Sequence, residues 1–237
     1  MPTPDFQFKQ FTIRHDRSSM KVGTDGVLLG AWAGMGWDIR DGKYLDVGTG
    51  TGLIALMLAQ RFPTASIEGI DIDDASLEQA KENIEKSVFG TRITLQKQDF
   101  SDINSFSNKY NLIVSNPPFY TEDTLSGNKT RDMARHASFL PFETLVENAA
   151  KLLTRDGRFS VIIPYQSATD FISICLMNKL CLTRRLNVRS TERKPFNRVL
   201  LEFSTSIQPS ETRTLTLYDA NNKRSPEYTQ LTTDFYL

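Results

Sequence analysis

Three glycines alternate with threonines in Gly48-Thr49-Gly50-Thr51-Gly52, between a strand-like pentad, Lys43–Val47, and an apolar run, Leu53–Arg61. Few folds admit this arrangement. A strand that enters a helix through so many glycines must turn tightly and bring bare backbone close to a ligand. Units of this kind build parallel sheets, in which ligands lie outside the carboxyl ends of the strands.

The rest of the chain repeats that rhythm. Ser66–Asp71 reads as a second strand and Asp74–Lys86 as an amphipathic helix with Asp73 or Asp74 as N-cap. Strands are expected over Arg92–Gln96, Tyr110–Ser115 and Arg158–Ile163, and helices over Phe142–Leu153, stopped near Gly157, and Ala168–Leu180. The strand runs are nearly all apolar, as burial on both faces requires. The pattern changes after Leu180. Cys181–Ser190 and Arg198–Thr205 follow each other without a helix and predict an antiparallel pair joined by the basic linker Thr191–Asn197. The polar tail is expected to add a hairpin over Thr212–Tyr218 and a short terminal helix. A short helix near Val27–Ala33 precedes the sheet. The expectation is an α/β, doubly wound, Rossmann-like sheet, mostly parallel, with a C-terminal antiparallel hairpin. Residues 1–42 are expected to form a leading segment, 43–205 the domain built on this sheet and 206–237 an extension packed on it.

A chain of 237 residues can bury a sizeable core without metal or disulfide help. Its 28 basic residues are balanced by 28 acidic ones, so no global field draws it to nucleic acid and any polyanion site must be local. The two cysteines, Cys175 and Cys181, have no zinc spacing, and two histidines, His15 and His136, are too few for a metal cluster. No metal is expected. No apolar run reaches membrane-spanning length and the N-terminus is polar, so a cytoplasmic protein with no membrane partner is expected; a monomer is the favoured state, but the sequence does not fix the oligomeric state.

The glycine spacing is not that of a dinucleotide fingerprint, because Leu53 rather than a further residue and glycine follows Gly52. Asp46 at the first strand end is able to accept from a cationic amine or to fix the loop. Asp71, nineteen residues beyond Gly52, ends the second strand, where a carboxylate binds a ribose diol. A nucleoside with an amino-acid tail and no pyrophosphate satisfies this set: S-adenosylmethionine (AdoMet). Asp99 stands at the third strand end, placed to accept from an adenine amino group, with Phe100 offering a backbone N–H. The same residues also suit a tight turn with capping aspartates.

Asn116-Pro117-Pro118-Phe119 follows the fourth strand. Two prolines end a strand and remove two backbone donors. An Asn amide oxygen and the Pro117 carbonyl then converge on a small volume beside an aromatic ring. A base with an exocyclic amino group needs two acceptors for its N–H groups and a ring to stack on. Asn116, Pro117 and Phe119 are therefore the candidate catalytic residues, with Asn116 also at the cofactor. An Asx-stabilised turn is the structural alternative.

These motifs resemble class I AdoMet-dependent methyltransferases of the small-domain type. The segment Phe11 to Trp32, the Asn116–Phe119 motif, the loop Arg131–His136 and the ending Leu231–Tyr236 resemble the bacterial tRNA(Val) adenine-37 N6-methyltransferases over nearly the whole chain. The resemblance implies a seven-stranded sheet whose last two strands form an antiparallel hairpin, and a tRNA substrate methylated at N6 of adenine. It also implies an N-terminal segment covering the cofactor, mapped onto Lys21 to Thr24, where Thr24 or Asp25 alternatively caps a helix. For RNA phosphates the local basic clusters are Arg184, Arg185, Arg189, Arg193, Lys194 and Arg198, and Lys129, Arg131 and Arg135. Trp32 and Trp37 are expected to pack. Chemistry alone leaves protein glutamine, guanine N2 and DNA adenine as alternative substrates, since each offers two N–H donors. A nicotinamide oxidoreductase is disfavoured by the glycine spacing, and a non-catalytic RNA-binding module has no use for Asp46, Asp71 and Asn116 together.

Overall fold

A computed structural model describes residues 5–17, 21–37, 41–118 and 140–237. Strands β3 (Lys43–Val47), β4 (Ser66–Asp71), β5 (Ile93–Lys97), β6 (Tyr110–Ser115), β7 (Leu153–Pro164), β8 (Cys181–Arg189), β9 (Arg198–Ser204) and β10 (Glu211–Thr216) form one sheet in the order β10-β8-β9-β7-β6-β3-β4-β5. β9 runs against both neighbours, β7 and β8; every other pair is parallel. The carboxyl ends of β3 to β8 and the amino end of β9 therefore share one edge.

Both faces of the sheet are covered, and the strands show why. Along β6, Leu112 and Val114 enter one core while Ile113 enters the other. The first core lies under α1 (Thr24–Trp32), α2 (Leu53–Arg61), α3 (Asp74–Glu85) and α6 (Pro226–Thr232). The second lies under α4 (Phe142–Leu152) and α5 (Ala168–Met177). Two short strands, β1 (Phe6–Gln7) and β2 (Thr12–Ile13), pair ahead of α1. They meet the C-terminal tail through a Phe8–Tyr236 bridge and stacked rings of the same residues, 5.9 Å apart.

Four expectations are corrected. Thr212–Tyr218 is not a hairpin: Glu211–Thr216 runs parallel to β8, in register from Glu211 with Arg184 to Thr216 with Arg189. The sheet thus has eight strands rather than seven, and the added strand covers the edge that β8 would otherwise expose. Gly157 does not stop α4. That helix ends at Leu152, and Gly157 lies within β7, where a Cβ would stand 3.0 Å from the Tyr110 carbonyl oxygen. Its small size admits the β6 backbone at a register shift. α5 ends before Leu180 because Lys179 takes a left-handed φ of 62°. The Leu180 and Lys179 N–H groups donate to the Cys175 and Leu176 carbonyls, which caps the helix without glycine.

Candidate cofactor and substrate site

The glycine loop owes its alternation to backbone geometry. Gly48, Gly50 and Gly52 have φ of 72°, 54° and 79°, all in the left-handed region that other residues adopt at a cost. Gly48 and Thr49 donate to the Ile70 carbonyl, and Gly52 to the Thr49 carbonyl. The glycines differ in what surrounds them. A Cβ on Gly48 would meet nothing within 4 Å, whereas one on Gly52 would stand 3.4 Å from Ala80 and Ile84 of α3. Gly48 opens on a cavity; Gly52 packs the loop.

Two carboxylates hold this loop from behind. Asp46 is fully buried, and its Oδ2 accepts from Thr49 Oγ1 (2.7 Å) and from the Ala55 N–H (3.1 Å) in the first turn of α2. It serves as a helix cap supplied from a neighbouring strand. Burial pushes its carboxyl up to about 7, against these hydrogen bonds. Its other oxygen, Oδ1, is buried and has no partner among the described residues. Asp71 accepts from the Gly50 N–H (2.9 Å) through Oδ2 and from the Asp73 N–H (3.0 Å) through Oδ1, and burial raises its pKa. Asp73, not Asp74, caps α3, accepting from the Ser76 N–H at 3.0 Å.

The cavity in front of the loop measures about 410 Å³. Lys21, Thr24, Gly48, Gly50, Asn116 and Arg198 all line it, from four separate stretches of chain. Register places Asn116: Val47 pairs with Ser115, so the next residues, Gly48 and Asn116, stand side by side. Ser115 Oγ donates to the Val47 carbonyl (3.1 Å) and secures that end. Asn116 is half-buried and Pro117 buried. Asp46, Asp71 and Gly52 stand behind the wall rather than in it. Asp99 is exposed beyond β5, where it accepts from the Ser101 N–H at 2.8 Å. It lies near Asp71, because the Gln98 N–H donates to the Asp71 carbonyl. The Phe100 ring is in the second core against Phe106. Phe119, Lys129, Arg131 and Arg135 lie outside the described residues.

The N-terminal stretch is docked by side chains that sequence reasoning passed over. α1 is capped by Gly23, with no side-chain bond from Thr24 or Asp25; Asp25 instead pairs with Arg198 at 2.8 Å. Asn83 accepts from the Arg14 N–H and donates to the carbonyls of Arg14 and Thr51, each at 2.9 Å. Gln79 accepts from the Arg17 N–H (2.9 Å). His15 is buried, and its Nδ1 accepts from the Val22 N–H at 3.1 Å, joining the docked stretch to the stretch that lines the cavity. A signal existed. The buried stripe of α3 is Ser76, Gln79, Ala80, Asn83 and Ile84, and three of those five positions carry polar residues.

The family model described as the methyltransferase small domain matches residues 34–181. The tRNA1(Val) (adenine(37)-N6)-methyltransferase of Pectobacterium carotovorum is 42% identical, over 98% of this chain and 93% of its own. The enzyme of the same name from Phocaeicola vulgatus is 43% identical, over 100% of this chain and 99% of its own. The chain belongs to this family. Among solved structures, a predicted O-methyltransferase from Agrobacterium tumefaciens superposes with a TM-score of 0.68 at 17% identity, covering 89% of this chain and 96% of that one. TrmN from Thermus thermophilus superposes with a TM-score of 0.51 at 21% identity, covering 69% and 43%. These two share the class I methyltransferase fold.

Family and fold imply AdoMet, and the residues present fit it. The open space at Gly48 admits a ligand against bare backbone, and the orphaned Asp46 Oδ1 is an acceptor buried beside that loop. No metal-ligating cluster occurs among the described residues, and no helix among them is long and apolar enough to cross a membrane.

The basic cluster divides in the structure. Arg184 faces inward: it pairs with Glu202 (3.4 Å), donates to the Met35 carbonyl and lies 4.2 Å from the Trp32 ring centroid. Its partners make it a packing residue, and it leaves the set of RNA candidates. Arg193 and Lys194 are exposed on the β8–β9 turn, at the same sheet edge as the cavity. Arg189 ends β8 at that turn and Arg185 lies four residues back along the strand; both are half-buried.

Proposed function

We propose that the protein methylates N6 of adenine in tRNA, at position 37 of a valine tRNA, with AdoMet as donor, in the cytoplasm. The observation that carries this reading is Asn116 on the cavity wall beside Gly48, followed by buried Pro117. Lys21, Thr24, Gly48 and Gly50 would hold the cofactor in the cavity, with Asp46 and Asp71 behind the loop. Asp99 and the Phe100 N–H would border the cofactor's own adenine. AdoMet supplies a methyl group already activated on a sulfonium.

The chain's task is to prepare a poor nucleophile. The N6 lone pair of adenine is delocalised into the ring. Asn116 Oδ1 and the Pro117 carbonyl accept both N6 hydrogens, which favours a pyramidal nitrogen with its lone pair aimed into the cavity. Holding the reactants in line contributes about 7–11 kcal/mol, so positioning dominates. No side chain needs to act as a strong base, because the nitrogen becomes acidic once methylated. Asp46 is committed to Thr49 and Ala55, and His15 Nδ1 to Val22, which agrees with that economy. Phe119 is proposed to stack the target base, and an unpaired anticodon-loop base costs little to extrude.

The test is incubation with methyl-labelled AdoMet and total tRNA lacking its own modification, followed by mass spectrometry of the nucleosides. Label in N6-methyladenosine of a valine tRNA supports the reading. Label in N2-methylguanosine, or in protein or DNA only, overturns it.

A further inference from the structure

The arginines around the β8–β9 turn differ in what neutralises them. Arg184 is paired with Glu202 and Arg198 with Asp25. Among the described residues, no carboxylate lies within ion-pairing distance of Arg185 or Arg189. Both are nonetheless held in place. Arg185 Nε donates to Asn187 Oδ1 (2.8 Å), and its guanidinium lies 5.5 Å from the Tyr165 ring centroid. Arg189 Nε donates to Thr216 Oγ1 (2.9 Å) and Nη1 to the Glu192 carbonyl (3.1 Å), with the guanidinium 5.6 Å from the Phe196 ring centroid. The two rings are neighbours, 5.2 Å apart and inclined at 35°. Guanidinium, ring, ring and guanidinium are thus linked in series, and all four side chains are partly exposed.

The position of this series matters. The Tyr165 N–H donates to the Asn197 carbonyl, and the Asn197 N–H to the Val188 carbonyl. Asn197 and Val188 both line the cavity, so the series adjoins it on the same edge of the sheet.

We propose that Tyr165, Phe196, Arg185 and Arg189 form a subsite for an unpaired nucleobase and its phosphate, adjacent in the RNA to the target adenine. The proposal rests on the RNA reading of the preceding section and names how part of that substrate is gripped. Proteins take up single-stranded RNA by stacking bases on aromatic rings or on guanidinium planes. Arginines already locked by neutral acceptors lose little freedom when they bind, and phosphates supply the counter-charge these two lack. The subsite is sequence-tolerant, since every base has a π-face.

The experiment compares wild type with the double variant Tyr165→Leu, Phe196→Leu, which keeps apolar bulk but removes both rings, and with Tyr165→Trp. The probe is an unmodified anticodon stem-loop of a valine tRNA, intact or with an abasic residue on either side of the target adenine. Binding is followed by fluorescence anisotropy, methylation by label transfer and AdoMet binding by calorimetry. The expected result is a loss of affinity for the intact stem-loop of about ten-fold in the double variant, with a matching rise in KM for RNA. AdoMet affinity stays at the wild-type value and Tyr165→Trp binds RNA as wild type does. One abasic stem-loop costs wild type about the same factor and costs the double variant nothing further. Wild-type RNA affinity in the double variant overturns the subsite, as does a fall in AdoMet affinity or an equal abasic penalty in both proteins. If wild type labels tRNA and the subsite test fails, the subsite alone falls. If wild type labels no RNA, both readings fall.

Discussion

Asn83→Ala removes the joint between the N-terminal stretch and the glycine loop. The Asn83 side chain is 1% exposed and makes three hydrogen bonds, two to Arg14 and one to the Thr51 carbonyl, each at 2.9 Å. At about 0.5–1.5 kcal/mol net per bond, the truncation is expected to destabilise the protein by about 2–4 kcal/mol. Arg14 is then held on α3 by its side-chain ion pair with Glu82 (3.7 Å) and by neighbouring contacts, such as that of Arg17 with Gln79. If the docked population of the stretch falls to about a tenth, apparent AdoMet affinity falls about ten-fold. Urea denaturation measures the first effect, read as a lower midpoint with an unchanged slope, and calorimetric titration with AdoMet measures the second. Hydrogen exchange at Arg14 and Arg17 should accelerate more than exchange in β3. A stability loss under about 0.5 kcal/mol, within the range of ordinary surface changes, would refute the account of Asn83 as a joint. Unchanged AdoMet affinity in a protein clearly destabilised by the mutation would refute the link between docking and cofactor.

Four other substitutions separate the roles assigned around the cavity. Asn116→Ala should abolish methyl transfer while AdoMet still binds; near-normal turnover in a label-transfer assay contradicts its role. Asp46 has a folded-state pKa of about 7, above its ordinary 3.8, so it binds a proton more readily folded than unfolded. Its contribution to stability is present below about pH 4 and is lost as pH rises towards 7, so Asp46→Asn should flatten that part of the stability–pH curve. The same variant should lose AdoMet affinity, measured by titration at pH 8. Gly48→Ala and Gly52→Ala should each cost about 1–2 kcal/mol from left-handed φ. Only Gly48→Ala, whose methyl enters the cavity, should also weaken AdoMet binding, and an equal effect from Gly52→Ala would reverse the distinction drawn between them.

Much of the sheet is legible because its strands are buried on both faces and therefore read as apolar runs. Lys43–Val47 and Tyr110–Ser115 occur with the boundaries the sequence predicts; Ser66–Asp71 does too, though only Ile67 and Ile70 in it are large and apolar, because the alternating strand–helix rhythm locates it. β10 escapes such reading. Four of its six residues are exposed, and its pairing depends on the open edge of β8, a distant element. The antiparallel pair β8–β9 is visible in the missing helix between them, but not the inward turn of Arg184. Alternation tells which residues share a face; it does not tell that this face meets Trp32 and Glu202.

Local composition by itself determined the glycine turn, an aspartate cap at Asp73 or Asp74, and the end of β6 at a donor-poor Asn-Pro-Pro. Each is set by the φ, ψ and hydrogen-bonding limits of a few consecutive residues. The tertiary structure alone decided that Asn116 stands beside Gly48, that Asp46 caps α2 rather than only ending β3, and that Asn83 ties Arg14 to Thr51. It also decided which arginines spend their charge on Glu202 and Asp25 and which do not. Those outcomes depend on strand register and on the buried neighbours it brings together, and a linear pattern of residue types carries neither.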